Sequence, residues 1–169
     1  MSIDTGIYLP SEYGPEGDPN SAYFGYRNSR DTRFAVPRRD TRLGTKQEVL
    51  GISQSESHKA YPVSALRKER VVNDLVGSLP VVIVASAGSS TVRVYARGDS
   101  SFEIGPQTRI GGAVPFSLLD SNGVEWEIRE EALVNVDDPT KTLVRLAANI
   151  SFWFAWFVFH PDTEVYGWP

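Results

Sequence analysis

The distribution of apolar residues along the chain predicts a mainly β protein. From Glu48 onward, apolar residues occur in short runs rich in Val and Ile, whose branched side chains suit a pleated sheet. The run Leu79–Ala85 is almost continuously apolar, which indicates a central strand buried on both faces. In Thr91–Arg97, apolar and polar residues alternate, as in a strand with one exposed face. The small residues between these two runs predict a β-hairpin.

A second hairpin is predicted farther along the chain. Phe116–Leu119 leads into Asn122 and Gly123, a pair that tolerates the positive φ angles of tight turns. In Val124–Ile128, apolar residues then alternate with glutamates, so one face of this strand should be buried. The other predicted strands are Val49–Ile52, Val71–Val72, Leu133–Val136, Leu143–Ala147 and Thr163–Tyr166.

Helices are expected to be few and short. One is predicted within Tyr61–Glu69. The apolar segment Ile150–His160 suits either a buried strand or a buried helix. We favour a helix, with Asn149 or Ser151 as its N-cap and Pro161 ending it. The predicted fold class is therefore α+β and mainly β. We expect an antiparallel sandwich or open barrel with one or two short helices and an irregular N-terminal arm.

Charge divides the chain into two unlike parts. Seven of the 17 Lys and Arg residues lie between Arg27 and Lys46, opposed only by Asp31 and Asp40, so this segment carries +5. Because the whole chain carries −4, the remainder carries −4 − 5 = −9. We expect residues 1–47 to form a basic, Pro/Gly-rich arm packed on the body, and residues 48–169 to form a single mainly β domain. The arm would also suit a second copy of the chain, giving a homo-oligomer.

Composition excludes several classes of site. The chain has no Cys, which excludes disulfides, thiolate metal sites and cysteine nucleophiles. Its two histidines, His58 and His160, are too few for a three-histidine metal site, and His58 falls in a polar segment expected to be a loop. The motifs GxSxG, HExxH, GxGxxG and the P-loop are absent. We therefore predict no metal and no cofactor, and the net negative charge makes nucleic acid an unlikely partner.

The sequence predicts no membrane span. Its longest apolar run, Phe152–Phe159, has eight residues, whereas a spanning helix needs about 20. The N-terminus lacks the basic and apolar regions of a signal peptide. We expect a soluble protein, either cytoplasmic or an exported mature fragment.

The segment near the C-terminus carries the strongest candidate for binding. Positions spaced i, i+3, i+4 and i+7 share one face of the predicted helix and are occupied by three aromatic residues and His160. Such a face suits either a buried core or an aromatic pocket for sugars, planar rings or cations. The candidate ligand-binding residues are Trp153, Trp156, His160, Tyr61 and Trp126.

Three residues are weak candidates for catalysis. His160 has an ordinary pKa near 6.5, which suits a general acid or base. Asp74 and Asp120 follow apolar runs beside turn residues, where aspartates most often cap turns. Together the three could bind a divalent cation or hydrolyse a bond. No catalytic residue is assigned.

A series of ordered segments carries a family resemblance. The segments are Phe34–Pro37, Asp40–Leu43, Val49–Ile52, Lys59–Val63, Val71–Asp74, Pro80–Ile83, Leu118–Ser121, Glu125–Trp126, Phe152–Trp156 and His160–Glu164. Together they resemble the bacterial and archaeal family DUF3179, a domain of unknown function, over about residues 23–167. Many members of that family have a sequence similar to Cys-Pro-x-Cys at the position where this chain has Ala85–Gly88. The resemblance therefore does not imply any thiol or metal chemistry for this chain. The resemblance implies no catalytic residue.

Two functions are consistent with these patterns. We expect a non-enzymatic binding or assembly module, with an aromatic pocket around Trp153, Trp156 and His160 for a small-molecule or protein partner. The alternative is a hydrolase-like or metal-assisted enzyme that uses His160 with Asp74 and Asp120.

Overall fold

The computed structural model describes residues 25, 26, 29, 32, 36, 39–87, 91–106 and 117–168. The chain divides into two units, Met1–Pro37 and Arg38–Pro169. In the first unit, Gly25 and Tyr26 are helical, and the Ser29 N–H donates to the Gly25 carbonyl at 3.1 Å. Most of the predicted arm at residues 1–47 lies outside the described residues, as do Phe116 and the hairpin turn at residues 88–90. The arm stays a prediction.

The second unit is mainly β, which confirms the predicted fold class. Its described strands are β1 Glu48–Gln54, β2 Ser57–Pro62, β3 Val71–Val76, β4 Leu79–Ala85, β5 Val92–Ala96, β6 Phe102–Ile104, β7 Ser117–Asp120, β8 Glu125–Ile128, β9 Ala132–Asn135, β10 Thr142–Val144, β11 Asn149–Phe152 and β12 Glu164–Val165. Its described helices are α1 Val63–Glu69 and α2 Trp153–Phe159. Neither of these helices is long and apolar enough to cross a membrane.

The described strands form three sheets. Their orders are β11-β1-β2-β12, β3-β4-β5 and β10-β9-β8-β7-β6. All neighbouring strands are antiparallel except β12, which runs parallel to β2. Both predicted hairpins are present, as β4–β5 and β7–β8. Among the described strands no sheet closes into a barrel.

Strand β4 contributes to two separate cores. Val81 and Ile83 face the first core, whereas Val82 and Val84 face the second, and all four are 0% exposed. Successive side chains of a strand point to opposite faces, so a strand between two cores must be apolar at every position. Each buried valine or isoleucine contributes about 1.5–3 kcal/mol relative to its exposed state. The continuous apolar run therefore predicted this central strand correctly.

The two cores connect the three sheets as successive layers. In the first core, Leu50, Ile52 and Tyr61 from β1 and β2 meet Leu66 of α1 and the odd-numbered side chains of β4. In the second core, the even-numbered side chains of β4 meet the five-stranded sheet. Strands β6 to β9 of that sheet contribute Phe102, Leu118, Trp126 and Leu133.

Helix α2 covers the other face of the β1–β2 pair. Trp153 and Trp156 of α2 pack there with Val49, Ala60 and Val165, and Gly51 lies directly under the Trp156 ring. The first two N–H groups of α2 donate to carbonyl groups in the segment just before β1. The Trp153 N–H donates to the Gln47 carbonyl at 2.8 Å, and the Phe154 N–H donates to the Thr45 carbonyl at 3.0 Å. The helix is thus fixed to the sheet at its start and along its buried face.

The predicted boundaries of α2 were partly wrong. Asn149–Phe152 forms strand β11, paired with Gly51–Glu48 of β1, so the helix begins only at Trp153. Phe152 occupies the N-cap position, and no side chain caps the helix, contrary to the prediction of Asn149 or Ser151. Pairing with β1 holds these residues extended, and the carbonyl groups of Gln47 and Thr45, just before β1, replace the cap. Pro161 follows the helix end as predicted.

Strand β2 was missed by the sequence analysis. Its first three residues are polar and half-buried. His58 pairs with Ser53 of β1 and is therefore in a strand rather than a loop. Tyr61 and Pro62 pair with Leu50 and Val49, so α1 begins only at Val63. Tertiary pairing overrides the local pattern at both places.

We predict that Gly51→Ala destabilises the protein. A Cβ at this position would overlap the six-membered ring of Trp156. Overpacking of this kind typically costs about 1–3 kcal/mol of unfolding free energy. Urea denaturation measures the change. Gly44→Ala is the matched control, since its Cβ would meet Gln47 only at an ordinary 3.9 Å. Equal stability of the two variants would contradict the close packing of Trp156 on β1.

Candidate ligand-binding pocket

A pocket of about 360 Å³ lies along β12 and the turn that follows it. Its described lining consists of Arg42, Lys59, Thr163, Glu164, Val165, Tyr166, Gly167 and Trp168. The volume lies within the range of small-molecule sites, about 300–1,000 Å³. The lining combines two cations, one carboxylate and an exposed indole.

Strand β12 and its turn set the frame of this pocket. Glu164 lies opposite Lys59 and Val165 opposite Ala60 in the parallel pairing with β2. Gly167 has a φ of +75°, a conformation that favours glycine, and the Trp168 N–H donates to the Val165 carbonyl at 3.1 Å. This turn places Trp168 at the pocket with 52% of its surface exposed.

Arg42 is held in place from two directions. Its Nε lies 3.0 and 3.1 Å from the two carboxylate oxygens of Asp40, and its Nη1 donates to the Thr163 carbonyl at 3.0 Å. Its guanidinium carbon also lies 5.3 Å from the ring centroid of Trp153 and 5.9 Å from that of Phe157. These are cation–π distances. The guanidinium therefore has one defined position in the wall of the pocket.

The two predicted ligand-binding tryptophans of α2 support this wall from inside. Trp153 is 1% exposed and Trp156 is 7% exposed, so both belong to the core. The Trp153 Nε1–H donates to the Asp40 carbonyl at 3.2 Å, and the Trp156 Nε1–H donates to Thr163 Oγ1 at 2.9 Å. The indoles thus hold the segments that carry Arg42 and Thr163.

Lys59 and Tyr61 organise the opposite wall. Lys59 Nζ lies 2.9 Å from Asp74 Oδ2 and 3.4 Å from Glu164 Oε2, and it lies 5.9 Å from the ring centroid of Tyr61. The Tyr61 hydroxyl donates to Asp74 at 3.0 Å. Burial, and then the charge of Asp74, raise the pKa of Tyr61, so this hydroxyl remains a donor at physiological pH. Tyr61, the third predicted ligand-binding residue, thus stabilises the position of Lys59 through their common partner Asp74.

Tyr166 completes the same wall. Its ring packs beside Tyr61 with centroids 5.3 Å apart, and its hydroxyl donates to Glu69 of α1 at 2.8 Å. Burial and this hydrogen bond raise the pKa of Tyr166 to about 12. Strand β12 is therefore linked to α1 as well as to β2.

His160 and His58 form a pair of tilted rings in contact beside the pocket segment. Their ring centroids lie 4.1 Å apart, and the Trp156 ring lies 4.1 Å from His160 on another side. His58 Nδ1 lies 3.0 Å from Ser53 Oγ. The Thr163 N–H donates to the His160 carbonyl at 3.1 Å, so His160 stands at the start of the segment that lines the pocket. The pairing brings together the only two histidines of the chain.

The structure does not bring the three weak catalytic candidates together. His58 and Lys59 are successive residues of β2, so their side chains point to opposite faces of the sheet. His160 contacts His58 on the α2 face, whereas Asp74 contacts Lys59 on the other face. Asp120 lies in the five-stranded sheet. Within the part of the chain that the structure describes, no group of three or more His, Asp or Glu residues could hold a metal ion.

The chain matches the model of the family described as "Protein of unknown function (DUF3179)" over residues 12–163. This match covers most of the 169 residues. The chain belongs to the DUF3179 family. No curated protein and no solved structure matches it.

In this DUF3179 protein, three of the segments that carry the family resemblance meet at one place. Asp40–Leu43 supplies Arg42, Lys59–Val63 supplies Lys59, and His160–Glu164 supplies two of the lining residues. Sequence analysis did not connect them because they are far apart in the chain. Successive side chains of a strand point to opposite faces of the sheet. This alternation in β2 is the only local signal that could have indicated that Lys59 and His58 lie on different faces.

Asp120 and Trp126 have a structural role in the DUF3179 fold. Burial alone would raise the pKa of the Asp120 carboxyl, but hydrogen bonds from Val124 N, Trp126 Nε1 and Asn122 N outweigh it and hold this pKa below its usual value. The carboxylate closes the turn between β7 and β8 and fixes the Trp126 indole in the second core. Trp126, the last of the five predicted ligand-binding residues, thus lies in a different sheet from β2 and β12, whose residues line the pocket.

We predict that Asp120→Ala destabilises the protein by about 1–3 kcal/mol, because it leaves the buried Trp126 Nε1–H and two N–H groups of the turn without their acceptor. Chemical denaturation measures this change. The contribution of Asp120 should be lost as the pH falls below about 4, since its hydrogen bonds favour the charged form. Asp137→Ala, at an exposed turn position, should change stability by less than about 0.5 kcal/mol. A similar effect of both variants would contradict this role.

We predict that His160 makes the protein less stable at mildly acidic pH. Burial, and then the charge of His58, lower the pKa of His160, so the unfolded chain takes up a proton more readily than the folded chain. The free energy of unfolding should therefore decrease as the pH falls through about 6.5, the ordinary histidine pKa. Denaturation of the wild type and His160→Gln at about pH 7.5 and 5.5 tests this.

The variant should show a flatter pH dependence than the wild type. His58→Gln removes only the charge of His58, which lowers the pKa of His160 less than burial does. This variant should therefore flatten the pH dependence of the unfolding free energy less than His160→Gln does. If His160→Gln kept the slope of the wild type, the depressed pKa would be disproved.

Proposed function

We propose that this DUF3179 protein is a non-enzymatic binding module and that the pocket along β12 holds a small polar molecule. The observation that carries the proposal is the combination of an exposed indole with charged side chains that are already fixed in place. A few well-placed polar groups beside an aromatic surface are the usual composition of a small-molecule site.

Preorganisation supports this proposal. Arg42 is held by Asp40, Thr163 and the Trp153 ring, and Lys59 is held by Asp74 and Glu164. Long charged side chains normally lose conformational freedom when they bind a ligand, and that loss weakens affinity. Here the protein itself has already ordered both cations, so a ligand would meet donors in defined positions.

The buried aromatic residues have a supporting role in this proposal. The aromatic pattern of the sequence predicts a pocket around Trp153, Trp156 and His160. We now propose that Trp153 and Trp156 act from behind the wall, and that Trp168 is the aromatic residue that contacts the ligand. His160 would act on the start of the lining segment through the hydrogen bond from Thr163.

The placement of the ionisable residues favours binding over hydrolysis. A general acid or base has to lie within hydrogen-bond reach of its partner groups. His160 and Asp74 contact opposite faces of the β1–β2 sheet, and Asp120 is engaged in a turn of another sheet. Assembly through the N-terminal arm remains a separate prediction.

A thermal-shift screen tests the proposal. The probes are small sugars, amino acids, aromatic carboxylates and nucleosides, each added to the purified full chain. We expect at least one class to raise the Tm of the wild type, because binding to the folded state alone stabilises it. Trp168→Ala should abolish the shift, because it removes the exposed indole from the pocket.

Phe159→Ala is the matched control. Phe159 is also an exposed aromatic residue, 78% exposed, but it lies at the end of α2 and is not among the lining residues. This variant should keep the full shift. The proposal fails if no probe changes the Tm, or if Trp168→Ala responds like the wild type. Turnover of a probe that is lost in His160→Ala would favour the enzyme instead.

A further inference from the structure

The charged groups of the pocket are already paired with one another before any ligand binds. Arg42 has a carboxylate partner in Asp40 at 3.0 Å, and Lys59 has Asp74 at 2.9 Å and Glu164 at 3.4 Å. These five groups sum to 2 − 3 = −1. An anionic ligand would compete with carboxylates that are in place, and a cationic ligand would have to approach two cations. A neutral ligand meets neither cost.

Hydrogen-bonding capacity remains on both sides of the pocket. Of the five N–H donors of a guanidinium, the described contacts of Arg42 engage the Nε–H and one on Nη1. Lys59 has three donors and forms ion pairs with two carboxylates, those of Asp74 and Glu164. The Glu164 side chain is 72% exposed, so its carboxylate can accept further hydrogen bonds. The pocket thus offers charge-assisted donors next to an acceptor.

Hydroxyl groups are the neutral groups that fit such a pattern. Each hydroxyl donates one hydrogen bond and accepts others, so neighbouring hydroxyls can satisfy a cation and a carboxylate at the same time. The exposed Trp168 adds an apolar surface at the same pocket. A ligand therefore needs one edge of hydroxyls and one face of C–H groups.

We propose that the ligand is a neutral sugar whose pyranose ring packs its C–H face on Trp168. Its hydroxyls accept hydrogen bonds from Arg42 and Lys59 and donate to Glu164. This inference depends on the proposed function of the pocket, and it names the class of molecule that binds there. The pocket volume of about 360 Å³ accommodates a ring of this size.

Isothermal titration with defined probes tests the inference. The sugar probes are the methyl glycosides of glucose, galactose, mannose and N-acetylglucosamine, and the charged comparators are benzoate and tetramethylammonium. We expect at least one glycoside to bind the wild type and neither comparator to do so. Trp168→Ala should weaken this binding by about tenfold or more, in line with an aromatic contact, whereas Phe159→Ala should leave it unchanged.

A second pair of variants examines the polar edge of the sugar. Glu164→Ala removes the acceptor from an exposed side chain, so folding is not at risk, and should weaken glycoside binding several-fold. Glu164→Gln retains one carbonyl acceptor and should restore part of the affinity. Tm values of all variants establish that each remains folded.

The possible results separate the two levels of the proposal. Trp168-dependent binding of benzoate or tetramethylammonium without any glycoside would overturn the sugar inference and leave the binding function standing. Glycoside binding that ignores both Trp168→Ala and Glu164→Ala would overturn the assignment of sugar to this pocket. If no probe bound in titration and none of the broader screen shifted the Tm, both proposals would fall.

Discussion

The contact between α2 and the β1–β2 face is the interaction on which the pocket depends. Trp156 can pack closely on β1 because residue 51 has no side chain, and from there its Nε1–H reaches Thr163. One turn earlier, Trp153 holds the carbonyl of Asp40. Burial of apolar side chains holds α2 on the sheet. The Nε1–H group of each indole then fixes a different segment of the pocket wall. Core packing and site geometry are thus set by the same two side chains.

The two faces of β2 explain why this region divides into separate chemical environments. On one face, His58 meets His160 under α2, and on the other face Lys59 meets Asp74 and Glu164. The alternation of side chains across a strand keeps these groups apart although they are neighbours in sequence. His160 can therefore respond to pH on one side of the sheet while the ion pairs of the pocket stay on the other.

Much of the fold was predictable because its strongest signals are local. The uninterrupted apolar run of β4 required two buried faces, and Gly123 after Asn122 allowed the positive φ of a tight turn.

The candidate site was predicted less well. Trp153 and Trp156 were recognised as important, but their pattern is the same for a core helix and for an open pocket. Arg42, Lys59 and Trp168 carry no motif, since each is an ordinary residue until the chain folds.

The sequence by itself determined the fold class, the central strand β4 and both hairpins. It also excluded any chemistry that needs cysteine. These properties follow from composition and from periodicities that act over a few residues. Only the tertiary structure decided that β11 takes the first residues of the apolar segment, that His58 meets His160, and that Arg42 and Lys59 face the same pocket. Sheet pairing and burial join residues that are distant in the chain. Their free energy depends on partners that no local pattern can specify.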